Sequence, residues 1–394
     1  MKKNKKVIFS IISIILVMSI IVGIIVSFSK YMAKKEIYES AINIGDVETN
    51  IYPKNIILMI GDGMGPNHIE ATKKYLDLEI LNMENLALYD GEVTTFSRND
   101  LITDSAAAAT AMSTGIKVDN DAVSKVNNQN IENMCEYAKR FGKKTGIITT
   151  SEIYDATPAS FSAHANNRYE SEIIIDSQLN SGVDLFISGR NNEQLLLKEN
   201  IELSGYSYTN SLHEMNYFFS NYDSKVYSVF DGINYSTSNE TDEQPSLSTV
   251  SLASLNYLEK ISNAEGFFLM IEGADIDTYS HLNKFDSMVN ELYGFDETVK
   301  TVVNWAKQNK DTIVIVTADH ECGNLTYSNE SKEFLNDQLF KSENHTGQNV
   351  RVFFYGQFPF TEEYWNSINN ELDNTQISDI IRQSIYNYKN RENY

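Results

Sequence analysis

Ser105 follows Asp104 and opens a run of four alanines in "LITDSAAAATAMSTG", residues 101–115. A small polar pair before so plain a helix has two readings. It is a helix cap, or it holds a nucleophile at the positive end of a helix. Other residues able to do chemistry collect at the ends of apolar runs. "NIILMI" (55–60) leads into Gly61-Asp62-Gly63, and "DTIVIVTA" (311–318) into Asp319-His320. "GFFLMI" (266–271) leads into Glu272, Asp275 and Asp277, with His281 four residues further on, and His345 stands before "VRVFFYG" (350–356). Singly, each is weak. Asp62 alone suits a turn, and Asp277 with His281 shares one helical face, as many surface pairs do. "GDGMG" lacks the dinucleotide-loop spacing, because Gly65 follows Gly63 too closely. Together they weigh more: three of the six histidines fall in acidic, small-residue contexts beside strands. Mixed Asp/His ligation fits zinc, with an open position for catalysis, whereas an all-oxygen set of Asp, Glu and Thr fits magnesium.

The elements that must position these residues alternate. Apolar runs at 55–60, 144–150, 183–188, 266–273, 311–320 and 350–356 read as buried strands. Helices are expected from Pro66, over 131–142, over 192–200, from about 287 to 309 and over 377–389. Residues 231–247, rich in Ser, Asn, Thr and Asp, read as a surface loop. Strand–helix alternation at this spacing predicts an α/β fold with a mainly parallel sheet covered on both faces. Such sheets bind ligands beyond the carboxyl ends of their strands, which is where the acidic and histidine residues fall.

The chain has 394 residues and a formal charge of −22, which disfavours nucleic acid as a partner and suits divalent cations. The N-terminus runs against that balance. Lysines at 2, 3, 5 and 6 precede 23 uncharged residues, Val7 to Ser29, and Lys30, Lys34 and Lys35 follow. About 20 apolar residues cross a bilayer as a helix. Residues 1–29 are therefore expected to be a single-pass membrane anchor with the N-terminus inside, and 30–54 a tether. The alternative is a signal peptide that is cleaved and leaves a secreted body. Two cysteines, Cys135 and Cys322, have a spacing that does not demand a disulfide.

The motifs in combination resemble the alkaline phosphatase family over about 55–356. They are "LMIGDGMG" (58–65), "TDSAAAATAMSTG" (103–115), "DATPASFSAH" (155–164) with Arg168, "IEGADID" (271–277) with His281, "TADHECG" (317–323) and "ENHTG" (343–347). The resemblance implies a three-layer α/β/α sandwich over 55–394. Only residues 321–344 separate the Asp-His pair from the last histidine, so the crown-like insertion of larger relatives is expected to be minimal or absent. It implies hydrolysis of phosphate monoesters to alcohol and phosphate through a phosphoserine at a two-zinc plus magnesium site. Ser105 matches the nucleophile and Arg168 the phosphate-gripping residue. Asp277, His281 and His345 match the ligands of the first zinc, and Asp62, Asp319 and His320 those of the second. Asp62, Thr157 and Glu272 match the magnesium ligands. Asp155 matches a neighbouring position that is Asp or His among members, Asp favouring magnesium. A lysine that often follows the zinc-ligand aspartate is replaced by Thr278, so weaker phosphate retention is expected. Family members are commonly dimers, which leaves a homodimer open. The competing expectations are a phosphodiesterase, sulfatase or mutase-like relative, and a membrane-tethered phosphate- or metal-binding protein without turnover.

Overall fold

A computed structural model describes residues 52–390, apart from 191–194, 196, 222–224, 329–331 and 358–359. The stretch read as a membrane anchor lies outside the described residues, as does most of the tether. Among the described residues no helix is long and apolar enough to cross a membrane.

Ten strands form one sheet. In chain order they are β1 (Asn55–Gly61), β2 (Tyr89–Thr94), β3 (Lys144–Thr149), β4 (Leu185–Ser188), β5 (Tyr206–Thr209), β6 (Lys225–Val229), β7 (Phe267–Gly273), β8 (Thr312–Thr317), β9 (Val350–Gly356) and β10 (Glu371–Asp373). Their spatial order is β10-β2-β9-β8-β1-β7-β3-β4-β6-β5. Every neighbouring pair is parallel except those made by β9, which runs against β8 and β2. The reversal has a consequence for the site. The start of β9, with His345 just before it, lies at the sheet edge where the parallel strands end.

The central strands are apolar on both faces because helices cover both. Ile56, Ile57, Leu58, Met59 and Ile60 have no exposed surface. Burying each such side chain contributes roughly 1.5–3 kcal/mol. Helices that touch one another fall into two groups. One holds α1 (Pro66–Tyr75), α6 (Leu247–Ile261), α7 (Asp275–His281) and α8 (Phe285–Gln308), with the helices Asn82–Asn85 against α8 and Leu212–Asn221 against α6. The other holds α2 (Ser105–Thr114), α3 (Met134–Arg140), α4 (Ala156–Ser162), α5 (Ser171–Ser181) and α9 (Asn374–Asn390). Helix α8 buries Met288, Val289, Leu292, Phe295, Val299, Val302 and Val303, a stripe at helical spacing.

Several sequence expectations need correction. The helix placed over 192–200 is instead Lys198–Leu203, where residues are described. The polar loop at 231–247 ends at Ser246, which caps α6 by accepting from Thr249 N, and α6 itself was not foreseen. The two outermost strands at each side of the sheet, β10 and β2 and β6 and β5, are not marked by apolar runs in the sequence reading. Residues 321–344 hold no subdomain among those described, only short 3-10 turns and the strand Glu321–Cys322, which pairs with His345–Thr346. Both cysteines are buried and free.

Candidate active site

The cap question at Ser105 resolves in favour of its neighbour. Asp104 is the N-cap of α2, its Oδ1 accepting from Ala107 N at 2.9 Å. Ser105 is the first helical residue, and its Oγ lies 3.1 Å from His320 Nε2. The cap and the candidate nucleophile are thus different side chains. The alanines that follow keep α2 slim where it meets α4. There Ser160 Oγ bonds Ala106 O at 3.2 Å and Thr110 Oγ1 bonds Ser160 Oγ at 3.1 Å.

Sheet register sets the rest. Ile60 is level with Glu272 on one side and with Thr317 on the other, and Glu272 is level with Thr149. Asp62, Glu272 and Asp319 therefore emerge side by side from three adjacent strands. The turn at Gly63 brings in α7. Gly63 has φ +71, and a Cβ there would stand 2.7 Å from Asp277 Oδ1 and 2.9 Å from Asp277 Cα. Only glycine fits a left-handed position in so close an approach.

Three groups of ligand-type atoms result. At the mouth, Asp277 Oδ2 is 3.2 Å from His281 Nε2, and His281 Nε2 is 3.1 Å from His345 Nε2. Their Nδ1 atoms face carbonyls, Glu343 O at 2.5 Å and Thr103 O at 3.0 Å. With Nδ1 donating to a carbonyl, each ring can turn its Nε2 lone pair to a cation between them, His281 giving up the proton it otherwise shares with Asp277. In the centre, His320 Nε2 lies 3.2 Å from Asp319 Oδ2, 3.5 Å from Asp62 Oδ1 and 3.1 Å from Ser105 Oγ. Asp319 Oδ1 accepts from Gly63 N and His320 N, so its other oxygen is the one turned to the imidazole. On the floor, Asp62 Oδ2 accepts from Thr157 Oγ1 at 3.5 Å, and Glu272 Oε2 accepts from Thr149 Oγ1 at 2.5 Å. Asp62 thus presents one oxygen to the centre and one to the floor.

The residues fit metal ions. Asp62 Oδ1, Glu272 Oε1, Asp277 Oδ1 and Asp319 Oδ2 are buried without a hydrogen-bond partner. Leaving buried polar atoms orphaned is costly, and several together point to cations. Without metal the carboxylates compensate by holding protons. Burial, then Asp319 and Asp277, push Asp62 well above the usual carboxylate range. Burial raises Glu272 to about 8 and Asp319 to about 6. Asp277 goes the other way. Burial opposes its charge, but His281, His320 and His345 hold it well below that range. Its hydrogen bond raises His281 to about 9, while burial lowers His320 and His345 to about 4.

Arg168 Nη1 donates to Asp104 Oδ2 and its Nη2 to Asp155 Oδ1, each at 3.2 Å. Two carboxylates thus aim the guanidinium beside the first turn of α2. All the residues singled out from the sequence converge here. The sequence reading missed Arg190, which follows β4. It pairs with Asp275 and with Glu152 at 3.5 Å, and its Nη2 is 3.5 Å from Thr278 Oγ1. A charged residue directly after the apolar run "LFISG" was the available signal. Of the remaining histidines, His164 bonds Ser124 O and Glu136, and His68 is buried against Ser280, both packing roles.

An α/β sheet bearing serine, arginine and clustered carboxylates and imidazoles at its carboxyl edge defines a metal-centred class of protein. The chain belongs to the alkaline phosphatase family, whose model matches residues 53–187 and 178–391. It is 35% identical to alkaline phosphatase 3 of Bacillus subtilis over 289 residues, 68% of this chain and 61% of that protein. It is 28% identical to the Escherichia coli alkaline phosphatase over 384 residues, 77% of this chain and 81% of that one. Among solved structures, the alkaline phosphatase of the Antarctic bacterium TAB5 superposes with a TM-score of 0.69 at 26% identity, covering 85% of this chain and 98% of that one. The Thermus thermophilus enzyme, at 20% identity, shares the fold with a TM-score of 0.72, covering 86% and 92%. The match thus spans about three fifths of the length of the Bacillus relative.

Proposed function

We propose that this chain is an alkaline phosphatase that hydrolyses phosphate monoesters through a phosphoserine at Ser105. The observation that carries the reading is the meeting of Ser105 Oγ with His320 Nε2, 3.1 Å apart, inside a cluster of orphaned carboxylates. Asp277, His281 and His345 would hold one zinc ion and Asp62, Asp319 and His320 a second. Asp62, Thr157 and Glu272 would hold magnesium, the all-oxygen set. A variant of the TAB5 enzyme has been solved with magnesium in its M3 site, which supports a third ion by similarity. When bound, such ions lower the pKa of a coordinated hydroxyl or water and neutralise phosphate oxygens.

The chain's own residues do the rest. Ser105 Oγ attacks phosphorus in line with the departing alcohol oxygen, and the first turn of α2 points its positive end at the developing charge. Arg168 already spends one N–H on each flanking carboxylate. Its remaining donors can grip two phosphate oxygens as a planar fork. Asp155 orients that arginine and lies beside the floor. Arg190 brings a cation to Thr278, where the family often has lysine. Its charge is engaged by Asp275 and Glu152, so it orients the start of α7, and phosphate is expected to leave readily. We place the body outside the cell, tethered by residues 1–29, because the uncharged run between lysines suits a single-pass anchor.

The test is hydrolysis of p-nitrophenyl phosphate by the full chain with zinc and magnesium, beside Ser105→Ala and beside a bis-p-nitrophenyl diester. The expected result is monoester turnover, abolished by chelator and reduced at least about 10³-fold in the variant. Faster turnover of the diester would assign the chain to phosphodiester chemistry instead.

A further inference from the structure

We propose that Cys322 is a fourth protein donor to the metal ion held by Asp277, His281 and His345, which would keep its open position by accepting a further donor. The proposal rests on the metal-centre reading above and adds a residue that the reading does not use. Cys322 and His345 are direct partners in the antiparallel pair formed by Glu321–Cys322 and His345–Thr346. Residues directly opposite in such a pair project to the same face, with Cβ atoms about 4.5–5.5 Å apart. That short pair is pinned to the glycine turn, where Cys322 N donates to Gly63 O at 3.2 Å. One donor atom each from Asp277, His281, Cys322 and His345 lies within 4.8 Å of the others. The thiol is fully buried and touches Asp277 from the backbone side, its Sγ 3.9 Å from Asp277 O.

Three further observations say that this thiol faces a cation site and is not core filling. Asp277 Oδ1 is orphaned within the same group. The two imidazole Nε2 atoms confront each other at 3.1 Å. The other cysteine, Cys135, is buried in α3 and belongs to neither donor group. A coordinated divalent ion deprotonates a thiol outright. The sulfur–metal bond forms as the S–H proton leaves to solvent and the ion gives up a water, with no change of oxidation state. Zinc–sulfur bonds of about 2.3 Å and zinc–nitrogen bonds of about 2.0–2.1 Å draw such donors together. A thiolate makes this position soft. It should favour zinc, cobalt or cadmium over magnesium, in contrast to the all-oxygen floor.

Cobalt loading of the full chain tests the proposal by spectroscopy. A thiolate-to-cobalt charge-transfer band is expected in the near ultraviolet. The band should persist in Cys135→Ser and disappear in Cys322→Ser and Cys322→Ala, while the visible cobalt bands persist and show that the centre is still filled. Cobalt bound without the near-ultraviolet band, or a band that survives loss of Cys322, would overturn it. So would a chain that binds no cobalt. Turnover of p-nitrophenyl phosphate measured on the same samples separates the two ideas. Turnover without the band defeats the cysteine ligand alone, and the band without turnover defeats the phosphatase reading alone.

Discussion

The mouth and the floor of the metal cluster are built on different principles. At the mouth His281 keeps 39% of its side-chain surface exposed, and backbone carbonyls fix the tautomers of His281 and His345. Emptying that end leaves His281 half-exposed and protonated, because its hydrogen bond to Asp277 raises it to about 9. At the floor Glu272 is fully buried with one orphaned oxygen, and Asp62 and Asp319 stand beside it. Emptying that end leaves carboxylates that burial and mutual repulsion force to hold protons. The two ends therefore differ in what an absent cation leaves behind: protonated buried carboxylates at the floor and a protonated, half-exposed His281 at the mouth.

Apart from loss of Ser105 itself, the largest expected effect joins the two ends. Gly63→Ala would put a methyl against Asp277 and strain a left-handed turn, so it should displace both halves. Turnover should fall by about 10² or more, read as kcat/KM at saturating metal. Next, single ligands should separate the ends. His281→Gln should be rescued by excess zinc and Glu272→Gln by excess magnesium, each with apparent metal affinity lowered by about 10–100-fold. Rescue of both by the same ion would break the distinction.

Stripping the metals should expose the floor through pH. Glu272 and Asp319 keep protons in the folded, metal-free protein that the unfolded chain releases above ~4. Their contribution is present below that value and is lost as pH rises through about 6 for Asp319 and about 8 for Glu272. The thermal midpoint of chelated protein should therefore fall from pH 5 to pH 8, and added metal should remove the slope. A flat profile in chelator would contradict the electrostatic account of the floor.

Smaller effects lie at the rim and beyond it. Arg190→Ala frees Asp275 and Glu152 from their shared cation and should lower kcat/KM by about 10-fold, less than Arg168→Ala at about 10–100-fold. Asp379, in α9 far from the cluster, is raised to about 7 by burial. Asp379→Asn should stabilise the protein at pH 8 by about 1 kcal/mol, or about 2 °C, and change little at pH 5.

Much of the site was legible because each strand that carries a ligand is a continuous apolar run, and the ligand follows at its end. The apolar runs alone place Asp62, Glu272 and Asp319 at one edge. His345 could also be found, but its position depends on β9 running backwards, which the run "VRVFFYG" does not reveal. The strands β2, β5, β6 and β10 escaped notice because they lie toward the sheet edges. β2, for instance, buries only part of its length, so its sequence "YDGEVT" carries no apolar block. Helix α6 was hidden behind the polar loop that leads into it. Arg190 was missed because its partners Glu152, Asp275 and Thr278 are distant in sequence. The role of Asp104 was missed because a cap and a nucleophile stood side by side, and only the backbone bond to Ala107 tells them apart.

The most direct test of the central claim is capture of the phosphoryl group. The full chain, loaded with zinc and magnesium, would be mixed with p-nitrophenyl phosphate and quenched in acid, and its peptides mapped by mass spectrometry. A phosphate on Ser105, absent in Ser105→Ala and absent without metal, is the predicted result. Turnover with an unmodified Ser105, or with the phosphate on another residue, would contradict the account.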